Sequence, residues 1–223
     1  MTEKITPAEL IDHMQGAIFD LDGTLLDSMP FWENIGEDYL IERGKTPLPD
    51  IRAQFKRMTL EESSRYMKET YGLEESVEEI SEGILSCIQD DYFTTIPLKH
   101  GVREALEVLR NRGIKMCVAT ASERICVEAA LNRLGVLDMF SAVFTCSEVG
   151  AGKTQPDIFE VALEHLGIPR EKTFVFEDTL HAMETASQAG FPIVAVQEPH
   201  ALPDLSEIQQ LCTTYLDDFT QMI

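Results

Sequence analysis

Basic residues are scarce in this chain: 18 Lys and Arg stand against 39 Asp and Glu, leaving a formal charge of −21. Such a surface repels a polyphosphate, and no Lys/Arg stripe offsets the excess, which excludes a nucleic-acid binder of the electrostatic kind. Long apolar runs are absent too, since none reaches the ~18 residues that a membrane span requires. The segment MTEKITPAELIDHMQ lacks a basic start followed by an apolar run, so no secretory signal is expected there. Cysteines number five (Cys87, Cys117, Cys126, Cys146 and Cys212), an odd set without C-x-x-C spacing. That excludes a disulfide framework and a thiolate metal motif, and Cys117 and Cys126 read as small core hydrophobes. The expectations are a cytoplasmic protein with no membrane or nucleic-acid partner, and a monomer by default.

What is present is an ordinary globular composition, 44% hydrophobic and 26% charged over 223 residues. Leu, Ile, Val and Phe recur in blocks along the whole length, unlike a disordered acidic tail. Short apolar runs bounded by polar or turn residues predict strands at Ala17–Leu21, Ile114–Ala119, Ala142–Thr145, Thr173–Phe176 and Phe191–Val196. Helical periodicity fills the gaps between the last four, over Glu123–Leu134, Asp157–Leu166 and Leu180–Ala189. Glycines stop these helices at Gly135, Gly167 and Gly190. Strand–helix–strand units of this length need right-handed crossovers, so the expected class is α/β with a doubly wound parallel sheet.

The first strand breaks the rhythm, because about ninety residues separate it from the second, far more than one crossover uses. Between Met29 and Thr95 nearly everything reads as helix, with breaks at Gly44–Asp50, near Thr59 and at Gly72. We expect residues 29–95 to form an inserted helical bundle of three or four helices, with residues 1–28 and 96–223 forming the α/β domain. A return helix, Val102–Asn111, belongs to the latter. The insert holds 15 acidic against 7 basic residues. Its run Glu74, Glu75, Glu78, Glu79 and Glu82 reads as a solvated helix face. The tail from Gln197 to Ile223 has five acidic residues and no Lys or Arg, and its Pro199, His200 and Pro203 read as loop.

Chemistry concentrates at strand ends. Asp20-Leu21-Asp22-Gly23-Thr24 closes the first strand, and period-two geometry puts Asp20 and Asp22 on one face while Gly23 permits a sharp turn. In an open parallel sheet, ligands bind beyond the carboxyl ends of the strands. Two carboxylates in that position ask for a cation or a shared proton. Thr120-Ala121-Ser122 follows the second strand just before a helix, where a hydroxyl and free N–H groups make an anion site; simple N-capping by Ser122 is compatible with it. Lys153 lies in the Gly-bracketed loop Gly150-Ala151-Gly152-Lys153-Thr154, which is not a P-loop because the first glycine and its spacing are missing. Glu177-Asp178 closes the fourth strand, and carboxylates there suit a hard divalent cation such as Mg²⁺. Read alone, the same pair equally serves as helix N-terminal charge.

The ordered set Asp20-x-Asp22-Gly23-Thr24, Thr120, Lys153 and Glu177-Asp178 resembles the four motifs of the haloacid dehalogenase superfamily, in its β-phosphoglucomutase-like phosphatase branch. Flanking text agrees over nearly the whole chain, at Ile96-Pro97-Leu98, Gly101-Val102, Pro156-Asp157-Ile158-Phe159 and Ala189-Gly190. The insert is similar to that branch's helical cap, and the core to its Rossmann-like fold. The resemblance implies Asp20 as nucleophile forming an aspartyl-phosphate, and Asp22 as general acid and base. It implies Mg²⁺ held by Asp20, Asp22 through its carbonyl, Glu177 and Asp178, with Thr120, Ala121 and Lys153 on the phosphoryl oxygens. Lys56 and Arg57 resemble the cap loop that faces substrate, and Arg124 is near enough in sequence to touch a substrate oxygen or merely cover its helix.

The implied activity is Mg²⁺-dependent hydrolysis of a small phosphorylated metabolite, a sugar phosphate by preference. In the mutase pattern a cap His follows the first motif, but here Met29-Pro30-Phe31-Trp32-Glu33-Asn34 stands there, with no His between His13 and His100. That favours a phosphatase over a phosphosugar mutase. A non-catalytic phosphate-binding module is the remaining alternative, against which the complete carboxylate set argues.

Overall fold

The computed structural model describes residues 4–55, 58 and 60–223. Six parallel strands, β1 (Gly16–Phe19), β2 (Lys115–Thr120), β3 (Val143–Thr145), β4 (Thr173–Glu177), β5 (Ile193–Val196) and β6 (Thr214–Leu216), form one sheet in the order β3-β2-β1-β4-β5-β6. The α/β class expected from the alternation is the one observed. Every residue of β1 is buried, as a strand covered on both faces must be.

The helices are α1 (Leu10–His13), α2 (Met29–Glu42), α3 (Ile51–Phe55), α4 (Leu60–Tyr71), α5 (Val77–Thr94), α6 (Val102–Asn111), α7 (Arg124–Arg133), α8 (Cys146–Val149), α9 (Asp157–Leu166), α10 (Leu180–Gln188) and α11 (Leu205–Leu211). The chain divides into two compact units, residues 1–27 with 97–223, and residues 28–96. The first holds the sheet. Its one face carries Ile18, Cys117, Ala119, Val175, Ile193 and Ala195, packed with Ile158, Phe159 and Ala162 of α9 and Ala182, Met183 and Ala186 of α10. Alternation sends Phe19 and Phe176 to the other face, where their rings stack at 4.3 Å and continue to Phe140 and Phe219. Cys117 and Cys126 are buried as apolar side chains, and all five cysteines are free thiols.

The second unit contains α2 to α5. The longest of these, α5, opens on a capping box in which the Ser76 hydroxyl accepts from the Glu79 N–H at 3.1 Å and the Glu79 carboxylate accepts from the Ser76 N–H at 2.7 Å. Its buried stripe Ile80, Ile84, Ile88 and Tyr92 follows the helical period. Trp32 is a third exposed, and its indole N–H donates to the Tyr92 hydroxyl at 3.2 Å, tying α2 to α5.

The tail adds two elements that the apolar pattern did not predict: after a 3₁₀ turn at Pro199–Asp204 come α11 and β6, whose Thr214–Leu216 extends the sheet beside β5. The two prolines sit in the 3₁₀ turn, where a missing N–H costs little, and the apolar residues Leu205, Ile208 and Leu211 behind them recur at three-residue spacing.

Candidate active site

Register places the acids. Phe19 of β1 pairs with Phe176 of β4, and the ladder continues through the Asp20 N–H to the Phe176 carbonyl at 2.9 Å. Parallel neighbours in register present their side chains on the same face, so Asp20 comes out beside Glu177 at the carboxyl edge of the sheet. Asp178 follows where β4 ends. Ligand oxygens of Asp20, Glu177 and Asp178 all lie within 4.8 Å of one another, and all three residues are buried.

Lys153 is the cation in this cluster. Gly150 takes φ 81° and ends α8, and the following loop carries Lys153 inward, so that only 8% of it is exposed. Its ammonium donates to Asp20 Oδ1 and, at 2.7 Å, to Glu177 Oε2. Glu177 is further fixed through Oε1, which accepts from the Thr179 hydroxyl at 2.9 Å and from the N–H groups of Asp178 and Thr179 at 3.2 Å. Asp178 Oδ1 accepts from the Thr24 hydroxyl at 3.0 Å. Gly23 packs so tightly on this carboxylate that a Cβ there would meet Asp178 Oδ2 at 2.5 Å, and its φ of 81° independently requires glycine.

The electrostatics follow from three carboxylates sharing one ammonium in a desolvated place. Burial and the Glu177 carboxylate push the Asp20 carboxyl up to about 7, against the pull of Lys153. Burial, with Glu177 and Asp20 close by, holds Asp178 well above the usual carboxylate range. Glu177 goes the other way: burial opposes its charge, but Lys153 and the Thr179 donors outweigh burial and keep it below its ordinary value. Lys153 is disfavoured by burial yet stays above the ordinary lysine value because Asp20 and Glu177 face it. The cluster holds three carboxyl groups to one ammonium, more than its single lysine can neutralise once all are ionised, and its donors are hard oxygens. That donor set fits Mg²⁺ and not a soft metal.

Asp22 lies two residues on, and the Ser122 hydroxyl donates to its Oδ2 at 2.5 Å. This corrects the capping expectation for Ser122: α7 begins one residue later, at Arg124 with Glu123 as N-cap, and the Ser122 side chain crosses to Asp22 instead. The Ser122 N–H turns back to the hydroxyl of buried Thr120 at 3.0 Å, which closes the 120–122 loop. Arg124 does not reach toward the carboxylates. Its guanidinium bonds Glu148 at 2.5 and 2.6 Å, Glu128 at 2.9 Å and the Val143 carbonyl at 2.8 Å. His100 is exposed, with Nδ1 3.4 Å from Asp218. Lys56 and Arg57 lie outside the described residues.

The structure thus gathers Asp20, Lys153, Glu177 and Asp178 into one bonded cluster. Thr24, Thr179 and Ser122 are the polar partners whose links sequence spacing did not show. Thr24 and Ser122 act on residues 154 and 100 positions away.

Comparison with known proteins agrees with this geometry. A phosphorylated carbohydrates phosphatase of Thermotoga maritima is 29% identical over 184 residues, covering 79% of this chain and 82% of its own. Hexitol phosphatase B of Escherichia coli K12 is 26% identical over 207 residues, 89% of each chain. A solved Thermotoga maritima structure with a provisional beta-phosphoglucomutase assignment superposes with a TM-score of 0.81 at 25% identity, covering 94% of this chain and 97% of that one. Residues 17–196 match the model of the haloacid dehalogenase-like hydrolases. The chain belongs to the haloacid dehalogenase-like hydrolase family, and groups there with its phosphoric monoester hydrolases.

Proposed function

We propose that this protein is a Mg²⁺-dependent phosphatase acting on a small phosphorylated metabolite of the sugar-phosphate kind. The observation that carries the reading is the buried Asp20 carboxylate locked between Lys153 and the Glu177-Asp178 pair at the sheet's carboxyl edge. The names of the carbohydrate- and hexitol-phosphate relatives support the substrate class.

Asp20 is the nucleophile. One of its oxygens attacks phosphorus, the bond from phosphorus to the leaving oxygen breaks, and Asp22 gives that oxygen its proton. Asp22, now a carboxylate, takes a proton from water, which attacks the aspartyl-phosphate and returns Asp20 with release of inorganic phosphate. The Ser122 bond holds Asp22 in place for both transfers. Lys153, the Thr120 hydroxyl and the Ala121 N–H bind the phosphoryl oxygens not involved in bond exchange. Asp20, Asp178, the Asp22 carbonyl and the already anchored Glu177 would hold Mg²⁺, which when bound offsets the repulsion between a carboxylate and a phosphoryl group.

Hydrolysis of para-nitrophenyl phosphate and of a sugar-phosphate panel, with Mg²⁺ and with chelator, tests this. We expect metal-dependent release of phosphate, lost by orders of magnitude in Asp20→Asn while the circular dichroism spectrum is retained. Full activity in that variant overturns the mechanism. Isomerised sugar phosphate as the main product from β-glucose 1-phosphate would make the protein a mutase, and absence of any turnover a binding module.

A further inference from the structure

Lys99 stands outside every stretch that carries the site chemistry, two residues after the chain re-enters the α/β unit at Pro97. Its side chain is 15% exposed, and its ammonium donates to three oxygens at 2.7 Å each: the Gly23 carbonyl, the Gln197 carbonyl and Glu198 Oε2. Three protons meet three acceptors, so its donor capacity is fully used. Glu198, just past β5 and almost wholly buried, supplies the counter-charge, and its other oxygen lies 3.3 Å from His200 Nδ1.

Gly23 is the residue through which this clamp reaches the site. It follows Asp22, it packs directly on the Asp178 carboxylate, and its carbonyl shares one rigid peptide plane with the nitrogen of Thr24, whose hydroxyl bonds Asp178. Glycine has the widest backbone freedom of any residue, so the turn that must be glycine for want of space is also the one least able to hold its own direction.

We propose that Lys99 is a positioning residue: anchored by Glu198, it fixes the Gly23 carbonyl and so sets the Asp22-Gly23-Thr24 turn against Asp178. Its catalytic consequence rests on the phosphatase reading above. The backbone links of this segment, Lys99 N–H to the Leu25 carbonyl at 2.9 Å and Gly23 N–H to the Leu26 carbonyl at 3.0 Å, survive any change of the Lys99 side chain. A substitution therefore loosens the turn without unpairing it.

The test compares Lys99→Met, Glu198→Gln and the double variant, in the full chain, by para-nitrophenyl phosphate kinetics and by calorimetric Mg²⁺ binding without substrate. The double variant removes both charges together, which guards against a fold lost to a stranded buried carboxylate. We expect Lys99→Met and the double variant to lose about tenfold in kcat with KM nearly unchanged, and to bind Mg²⁺ several-fold more weakly. Glu198→Gln, which keeps both carbonyl bonds, loses less. A folded double variant with wild-type kcat and wild-type Mg²⁺ binding overturns the inference alone. A wild-type protein that neither binds Mg²⁺ nor hydrolyses the ester overturns the phosphatase reading and this inference with it.

Discussion

Asp178 shows how a single side chain can work against the fold that holds it. Burial and its neighbours Glu177 and Asp20 keep its carboxyl well above the ordinary value. A group shifted in that direction favours the folded state while protonated, below an ordinary carboxylate pKa of about 4, and that contribution is lost as pH rises through the raised value. Once ionised, above that raised value, its charge opposes folding. Asp178→Asn keeps an Oδ1 acceptor for Thr24 and removes the charge, so the metal-free variant should melt above the wild type at pH 8, with the gap closing toward acid. Relief of even 1 kcal/mol moves the midpoint by about 2–4 °C in a chain of this length. Added Mg²⁺ should raise the midpoint of the wild type far more than that of the variant. Scanning calorimetry in chelator and in Mg²⁺ checks both, and a variant melting below the wild type at pH 8 would contradict the argument. Asp20, Glu177 and Asp178 were readable in the sequence because strand ends are marked by apolar runs followed by acids. The bonds that fix Asp178, Asp22 and Gly23 were not, since their donors Thr24, Ser122 and Lys99 are common residues whose partners lie 76 to 154 positions away.

At the scale of elements, periodicity and capping were the most readable signals. The helices Val102–Asn111 and Asp157–Leu166 stand at the bounds their apolar spacing predicts, and the five expected strands shift by only one or two residues. What escaped was short or locally masked. β6 is three residues long, with too few positions for a period to register, and α11 hides its apolar recurrence behind two prolines. The capping box of α5 gives an element-level test. Ser76→Ala removes the acceptor of the Glu79 N–H and should cost about 1 kcal/mol, typical of a lost cap. Denaturant unfolding should show that loss while kcat stays unchanged, because Ser76 belongs to the helical unit and no site bond passes through it. A variant as stable as the wild type would mean that the cap contributes nothing here.

For the whole molecule, the dominant quantity is its excess of negative charge. Among the described residues no helix is long and apolar enough to cross a membrane. Like charges spread over one surface repel, which favours expansion, and salt weakens that repulsion. Raising NaCl from about 0.01 to about 0.15 M shortens the screening length from ~30 to ~8 Å. The melting temperature in chelator should rise over that range, and a fall would show that paired surface charges outweigh the net repulsion.

The point where the helical unit is inserted has its own consequence. Leu26 and Leu98 form an antiparallel bridge, and the Asp27 N–H bonds the Pro97 carbonyl at 3.0 Å. Topologically, residues 28–96 are therefore the loop of a β-hairpin, grown to the size of a bundle. Closing a flexible loop becomes costlier only with the logarithm of its length, so stretching one from a few residues to about seventy adds only ~2 kcal/mol. A hairpin tolerates such growth because its stem, not its loop, holds the register. Such a loop can be lengthened, shortened or exchanged without disturbing the stem, and Asp20 at the end of β1 keeps its place while whatever hangs from the hairpin is rewritten.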